Sequence, residues 1–410
     1  MKILFYGINN SPELTGVGKY TGEMTKWFEK KGIETRVICS PPYYPDWKIK
    51  KGFKIFFYTS RYENNIKTIR CPLYVPENPT KIKRIIHLVS FSLSSFLALM
   101  NQLFWKPNII IHVAPSLFCS LNAIIYSKLT GAKSILHIQD FEIDAMFGLI
   151  ESDPKIKTFV KKLIFYVEKK IYERYDLIST ISEGMVHKAN QKGIDKKKVI
   201  LFPNWTELDH FKNPSKNYEL LSKLNIEKEK KVVLYSGNMG EKQGLEIIIE
   251  AAKELESNQK VHFLLVGEGS SKNRLIEKAK NNNLKNITFS PLLPYSLLPN
   301  LLCMASVHLI IQKRGVADSM LPSKLTNIMA VGGNSIITAD LGTTLGNLCV
   351  EFPGIATLCK PESCDDLVRA INESLNIVTP NLIARNYALK NLDKEVILTN
   401  FNNEILRLVN

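Results

Sequence analysis

No two cysteines in this 410-residue chain stand in a C-x-x-C pair, and the seven present, at 39, 71, 119, 303, 349, 359 and 364, are odd in number. The pattern argues against a disulfide framework and offers no ligand set for a structural zinc. Acidic residues are short as well: 39 Asp and Glu against 54 Lys and Arg leave a net charge of +15, a balance that suits anionic partners. The excess is dispersed, however, in runs such as Lys196 to Lys198 and Lys228 to Lys231. Such runs read as solvated faces and turns and lack the interleaved aromatics of a nucleic-acid groove, so no nucleic-acid partner is expected. There is no repeat of solenoid period and no low-complexity tract. A strand-like run follows Met1 and Lys2 directly, with no long apolar segment and cleavage site, so a cytoplasmic protein is expected.

The length exceeds what one core usually supports, so two domains are expected. In the first half, short apolar runs such as Lys2 to Tyr6, Asn108 to Val113 (NIIIHV) and Ser134 to Ile138 (SILHI) alternate with helix-like segments. These runs fit strands buried on both faces of a parallel sheet. After a pause near Pro203 the alternation restarts with VVLYS, VHFLLV and VHLII, which predicts a second doubly wound unit. The fold class expected is therefore α/β with two Rossmann-like domains facing a cleft. Residues 1–205 form the first domain and 206–385 the second, and a helix over 386–410 returns to the first.

One stretch complicates the cytoplasmic reading. From Ile85 to Trp105 no residue carries a formal charge, and Lys81, Lys83, Arg84 and Lys106 bracket the run. Its length reaches that of a membrane span. Four serines, His87, Asn101 and Gln102 make it poorly suited to hydrocarbon, so a buried or interfacial helix is expected, resting on an anionic leaflet through its basic flanks.

In doubly wound sheets ligands bind beyond the carboxyl ends of strands. After the first strand, NNSPELTGVGKYTGEM brings Gly16 and Gly18 to the start of a helix, but the G-x-G-x-x-G of a simple nicotinamide dehydrogenase is missing. In the second half, Gly237, Gly240 and Lys242 follow VVLYS, and Gly267 and Gly269 follow VHFLLV. QKRGVADSMLPSKLTNIMAVGG places Lys313, Arg314 and Lys324 around the start of a helix whose first positions suit Pro322 and Ser323. A helix N-terminus is already partly positive, so three cations there call for an anion. All these loops share one sheet edge, which describes a site for a phosphorylated ligand such as a nucleotide diphosphate. In LHIQDFEIDAM, His137 ends a buried-strand pattern and Asp140, Glu142 and Asp144 follow. Taken alone, a histidine there is more often a hydrogen-bonded core residue than a catalyst.

The stretches INNSPELTGVGKYTGEM, SPPYYPDW, RCPLYVP, LHIQDFEIDAM, LFPNWTE, YSGNMGEKQGLE, QKRGVADSMLPSKLTNIMAVGGNSIITA and FPGIA together resemble the retaining glycosyltransferases of the GT-B fold, family four. Within that family they resemble the bacterial exopolysaccharide and O-antigen enzymes of the colanic-acid fucosyltransferase and N-acetyl-L-fucosamine transferase type. The resemblance runs over nearly the whole length. It implies a nucleotide-sugar donor, UDP- or GDP-linked, held by the second domain, and a polyprenyl diphosphate-linked saccharide acceptor held by the first, at the cytoplasmic membrane face.

Carried over position by position, the resemblance implies that Gly16 and Gly18 line the cleft near the diphosphate and donor sugar. Gly237 and Asn238 then lie beneath the phosphates, and Glu268 borders the base. Where the broader family has two glutamates eight positions apart, this chain has Ser319 and Asn327, and Asn238 and Gln243 replace an arginine and a lysine. Charge neutralisation then falls to Lys242, Arg314 and Lys324, and the ribose contact to Asn327 or Ser323. His137 and Asp140 are the expected catalytic pair, one of them orienting or deprotonating the acceptor hydroxyl. Transfer from a nucleotide sugar builds negative charge on the leaving diphosphate, which fixed cations stabilise. With no D-x-D at a plausible strand end, no metal or other cofactor is expected. A sugar-nucleotide 2-epimerase and a nucleotide-binding partner without turnover are the alternative readings.

Overall fold

A computed structural model describes residues 1–13, 16–115, 117–143, 154–212, 217–241, 243–314 and 322–409. The chain divides into two compact units: Met1–Pro203 together with the chain from Leu398 onward, and Asn204–Ile397.

The first unit is built on eight strands, β1 (Lys2–Gly7), β2 (Glu34–Cys39), β3 (Thr59–Glu63), β4 (Ile66–Arg70), β5 (Ile109–Ala114), β6 (Lys133–Ile138), β7 (Leu177–Thr180) and β8 (Val199–Leu201). They lie in the order β3-β4-β2-β1-β5-β6-β7-β8. All neighbours run parallel except β3, which is antiparallel to β4. Ile109, Ile110 and Ile111 are fully buried, as strands covered by helices on both faces require. Among the described residues its helices are α1 (Gly16–Lys30), α2 (Lys81–Met100), α3 (Leu117–Thr130), α4 (Pro154–Tyr172) and α5 (Glu183–Gln191).

Two elements depart from the sequence expectation. The hairpin β3–β4 was not foreseen, because β3 reads TSRYE with a largely exposed face and carries no apolar alternation. The uncharged run is not one helix to Trp105: α2 ends at Met100, and a single 3-10 turn, Leu103–Trp105, follows. One face of α2 packs on the sheet. Phe91 and Leu99 are fully buried, and the Tyr6 hydroxyl of β1 meets the Ser95 hydroxyl at 2.7 Å.

The second unit has six parallel strands, β9 (Lys231–Ser236), β10 (Val261–Val266), β11 (Ile287–Ser290), β12 (Ala305–Ile310), β13 (Ser335–Thr338) and β14 (Thr357–Cys359). Their order, β11-β10-β9-β12-β13-β14, is the doubly wound 3-2-1-4-5-6 pattern. Among the described residues nine helices connect and flank them: α6 (Tyr218–Lys223), α7 (Glu246–Glu254), α8 (Lys272–Asn281), α9 (Leu298–Met304), α10 (Ser323–Ala330), α11 (Thr344–Glu351), α12 (Cys364–Ser374), α13 (Leu382–Asn391) and α14 (Lys394–Val409). The carboxyl-terminal segment is therefore two helices. Its last, α14, starts in the second unit and ends in the first. One apolar cluster covers each face of this sheet, around Leu325, Met329 and Ile337 on one side and Val233, Phe263 and Leu265 on the other.

The two Rossmann-like sheets match the expected fold class. In each, the strand order reverses beside the first strand, between β1 and β5 and between β9 and β12. Those reversals open the crevices in which such folds hold ligands.

Candidate functional site

At the β9–β12 reversal the loops after β9 and β10 are laced together. The Gly237 amide donates to the Val266 carbonyl at 2.9 Å, the Met239 amide to Glu268 at 2.8 Å, and the Ser271 amide to Met239 at 2.9 Å. Gly267 and Gly269 permit this approach. Both have positive φ, +157° and +155°, and a Cβ on Gly267 would overlap the Gly237 carbonyl oxygen while one on Gly269 would overlap that of Met239. The second strand-end glycine pair in the sequence thus serves to seat the first.

Lys324 enters from α10, which begins at Ser323 after Pro322. Its stem lies over Gly237, with Cδ 3.6 Å from where a Cβ would be. Its ammonium sits 4.4 Å from the centre of the Tyr235 ring, and the Tyr235 hydroxyl donates to the Asn238 carbonyl at 2.6 Å. Burial lowers the Lys324 pKa from 10.5 to about 8. A cation over an aromatic face gains some attraction, yet burial still disfavours its charge. The ammonium is therefore an under-neutralised charge at a helix start.

The structure brings Gly237, Asn238 and Lys324 together. Glu268 stands in the neighbouring loop and pairs with Lys272 at 2.7 Å on the surface. Arg314, exposed, pairs with Asp340 beyond β13 at 3.3 Å. The Lys313 stem covers Gly244. Ser323 is exposed and Asn327 half-buried on α10. Lys242 and Ser319 lie outside the described residues.

In the first unit, Gly16 opens α1, where a Cβ would lie 3.5 Å from the Tyr44 ring, and a Cβ on Gly18 would overlap Glu13. Glu13 is a residue that sequence reasoning missed. It is buried and accepts from the amides of Tyr43 and Tyr44, each at 3.1 Å, and from the Asn9 side chain at 3.0 Å. Its pKa is raised by burial, against the pull of those hydrogen bonds. A second missed residue is Arg70 of RCPLYVP, also buried. It donates to the Ser11 and Ser40 carbonyls at 2.7 and 2.8 Å and grips Glu63 with two further bonds. Glu13 and Arg70 thus tie together the loops after β1 and β2. The only sequence signal was that Glu13 is the single charge between Lys2 and Lys19; Arg70, three residues after Lys67, carried none.

The loop PPYYPDW packs on α2: His87 meets the Tyr43 ring at 4.7 Å and the Trp47 ring at 5.3 Å. His87 also meets the Tyr74 carbonyl at 2.5 Å. At the end of β6, His137 is buried, with Nδ1 3.0 Å from the Ser179 hydroxyl and Nε2 2.8 Å from the Gln139 amide nitrogen. Burial pulls its pKa down to about 3, so the ring is neutral at any ordinary pH. Asp140 is exposed at the strand end. Together with Glu142 and Tyr172 it lines a small cavity. Asp144 lies outside the described residues.

Comparison with known proteins agrees with this geometry. Residues 15–205 match the family described as glycosyl transferase 4-like domain, and residues 217–388 that described as glycosyl transferases group 1. The colanic acid biosynthesis glycosyl transferase WcaI of Escherichia coli (strain K12) is 48% identical over 407 residues, covering 99% of this chain and all of WcaI. Among solved structures, sucrose-phosphate synthase from Thermosynechococcus elongatus superposes with a TM-score of 0.72 at 16% identity, over 99% of this chain and 98% of the other. Anabaena HepE in complex with UDP gives 0.69 at 13% identity, over 99% and 100%. The two doubly wound sheets, the family matches to both halves and the full-length identity to WcaI lead to one conclusion: the chain belongs to the group 1 glycosyltransferases of the GT-B fold.

Proposed function

We propose that this glycosyltransferase moves L-fucose or N-acetyl-L-fucosamine from a UDP- or GDP-linked donor to a polyprenyl diphosphate-linked oligosaccharide, retaining the anomeric configuration, in the assembly of a surface polysaccharide. The full-length identity to WcaI, named for colanic acid biosynthesis, supports the pathway class. The observation that carries the donor reading is the Lys324 ammonium, destabilised by burial and held beside the Gly237 turn.

In this reading the second unit binds the donor. As the glycosidic bond to the diphosphate lengthens, negative charge grows on the phosphate oxygens. The Lys324 ammonium and the amides opening α10 stabilise that charge more than they stabilise the ground state. Lys242 and Arg314 add positive charge, Asn327 or Ser323 holds the ribose, and Glu268 borders the base. These cations act without a metal.

The first unit binds the acceptor, and Asp140 orients its hydroxyl. His137, neutral and enclosed, is a positioning residue that fixes Gln139 at the strand end, and the departing phosphate takes the acceptor's proton. The enzyme works at the cytoplasmic face of the membrane.

Incubation with radiolabelled nucleotide sugars and a bacterial lipid extract tests the reading. Label moving into the lipid fraction, in chelator as in buffer, is the expected result. Epimerised free nucleotide sugar, or binding with no turnover, contradicts it.

A further inference from the structure

Tyr235 is the last residue but one of β9 and is fully buried. It belongs to the apolar cluster around Val233, Phe263 and Leu265, whereas Leu325 and Met329 of α10 belong to the cluster on the other face of the sheet. Lys324 joins the two sides. Its stem crosses the end of β9 at Gly237, with Cδ 3.6 Å from where a Cβ would be, and its ammonium comes to rest 4.4 Å from the centre of the Tyr235 ring. The passage is open because residue 237 carries no side chain. Burial alone accounts for the lowered Lys324 pKa, with no charged neighbour among the described residues contributing. The ring is therefore what holds the ammonium in place.

Packing alone would be served as well by phenylalanine, and a buried phenol must find a partner for its hydroxyl. Tyr235 finds it in the turn, donating to the Asn238 carbonyl at 2.6 Å. Burial pushes the hydroxyl's pKa far up, so it stays a donor at any ordinary pH.

The turn can be accounted for bond by bond. The Gly237 amide goes to Val266, the Met239 amide to Glu268, and the Gly240 amide to the Gln243 side chain at 3.1 Å. The Met239 and Gly240 carbonyls accept from the amides of Ser271 and Gln243. Of the four amides from Gly237 to Gly240, that of the exposed Asn238 alone makes no bond to another described residue. It is a donor left over on a turn that is otherwise fixed. Tyr235 pins the very residue that carries it.

We propose that Tyr235 is a positioning residue of the diphosphate site: its ring carries the Lys324 ammonium, and its hydroxyl sets Asn238 so that the Asn238 amide and the ammonium meet the donor's phosphates together. The inference deepens the donor reading above and rests on it.

Titration of UDP and GDP into the purified protein between about pH 6.5 and 9 tests it. In the wild type, affinity for the nucleotide that binds should decline as the pH rises past about 8, where Lys324 gives up its proton. Tyr235→Phe keeps the ring and loses the hydroxyl. Its affinity should fall about threefold to tenfold, the worth of one hydrogen bond, with the decline at the same pH. Tyr235→Leu removes the ring as well. Its affinity should fall further, and the decline should begin about one pH unit lower, because the ammonium has lost an attraction of that order.

A tyrosine that only packed the core would lower the thermal midpoint of both variants and leave the pH dependence unmoved. Tyr235→Phe with wild-type affinity throughout, or Tyr235→Leu with an unshifted decline, overturns the proposal and leaves the donor reading standing. A wild type that binds neither nucleotide overturns both.

Discussion

Replacing Lys324 by Met separates the cost of the buried cation from its purpose. The ammonium's pKa falls from 10.5 to about 8 because of burial. At about 1.4 kcal/mol per unit, holding it charged costs the nucleotide-free protein about 3 kcal/mol at neutral pH. Methionine keeps the stem that lies over Gly237 and removes the charge, so Lys324→Met should be the more stable protein, by up to that amount.

The pH dependence has a definite sign. Between pH 8 and 10.5 the unfolded chain holds this proton and the folded one does not, so wild-type stability gains on the variant as pH rises through that window. Ligand binding should move the other way. A charge-assisted hydrogen bond to a phosphate contributes about 1.5–3 kcal/mol, so its loss weakens nucleotide affinity about tenfold to a hundredfold. At a nucleotide concentration a hundred times the wild-type Kd, stabilisation of about 2.7 kcal/mol shrinks to as little as about 0.4 kcal/mol in the variant. Thermal denaturation at pH 7 and 9, with and without UDP and GDP, reads all of these effects. A variant that is less stable without nucleotide and keeps its full nucleotide-induced shift refutes the reasoning.

Gly267→Ala should lower stability by at least about 3 kcal/mol and weaken nucleotide binding, because its Cβ overlaps the Gly237 carbonyl at a φ that other residues rarely adopt; urea midpoints and the nucleotide shift check it. Glu13→Ala leaves the amides of Tyr43 and Tyr44 without their acceptor, so a loss of about 2–4 kcal/mol should appear in the same urea titration. The His137 ring, with a pKa of about 3, should contribute no limb to the pH–rate profile between pH 5 and 9. His137→Asn should lower turnover uniformly across that range, and a limb near pH 6.5 that vanishes in the variant would show that the ring is a proton carrier after all.

The sequence made the two sheets legible because their central strands are continuous apolar runs. IIIHV and VHFLLV are buried on both faces, and no other element accepts such a run so readily. β3 was illegible for the opposite reason. Its pairing with β4 is backbone hydrogen bonding under exposed side chains, which leaves no trace in hydropathy.

Lys324 could be picked out because its meaning is local, a cation at a helix start. Glu13 could not, since its partners Tyr43 and Tyr44 lie thirty residues away and are met through their amides, which every residue possesses.

A crystal structure with a bound nucleoside diphosphate tests the central claim most directly. The account predicts that the diphosphate lies at the β9–β12 reversal, with a phosphate oxygen in hydrogen-bonding reach of Lys324 Nζ and the Gly237 turn beneath it. A diphosphate bound elsewhere, with the Lys324 ammonium still resting on Tyr235 alone, would contradict it.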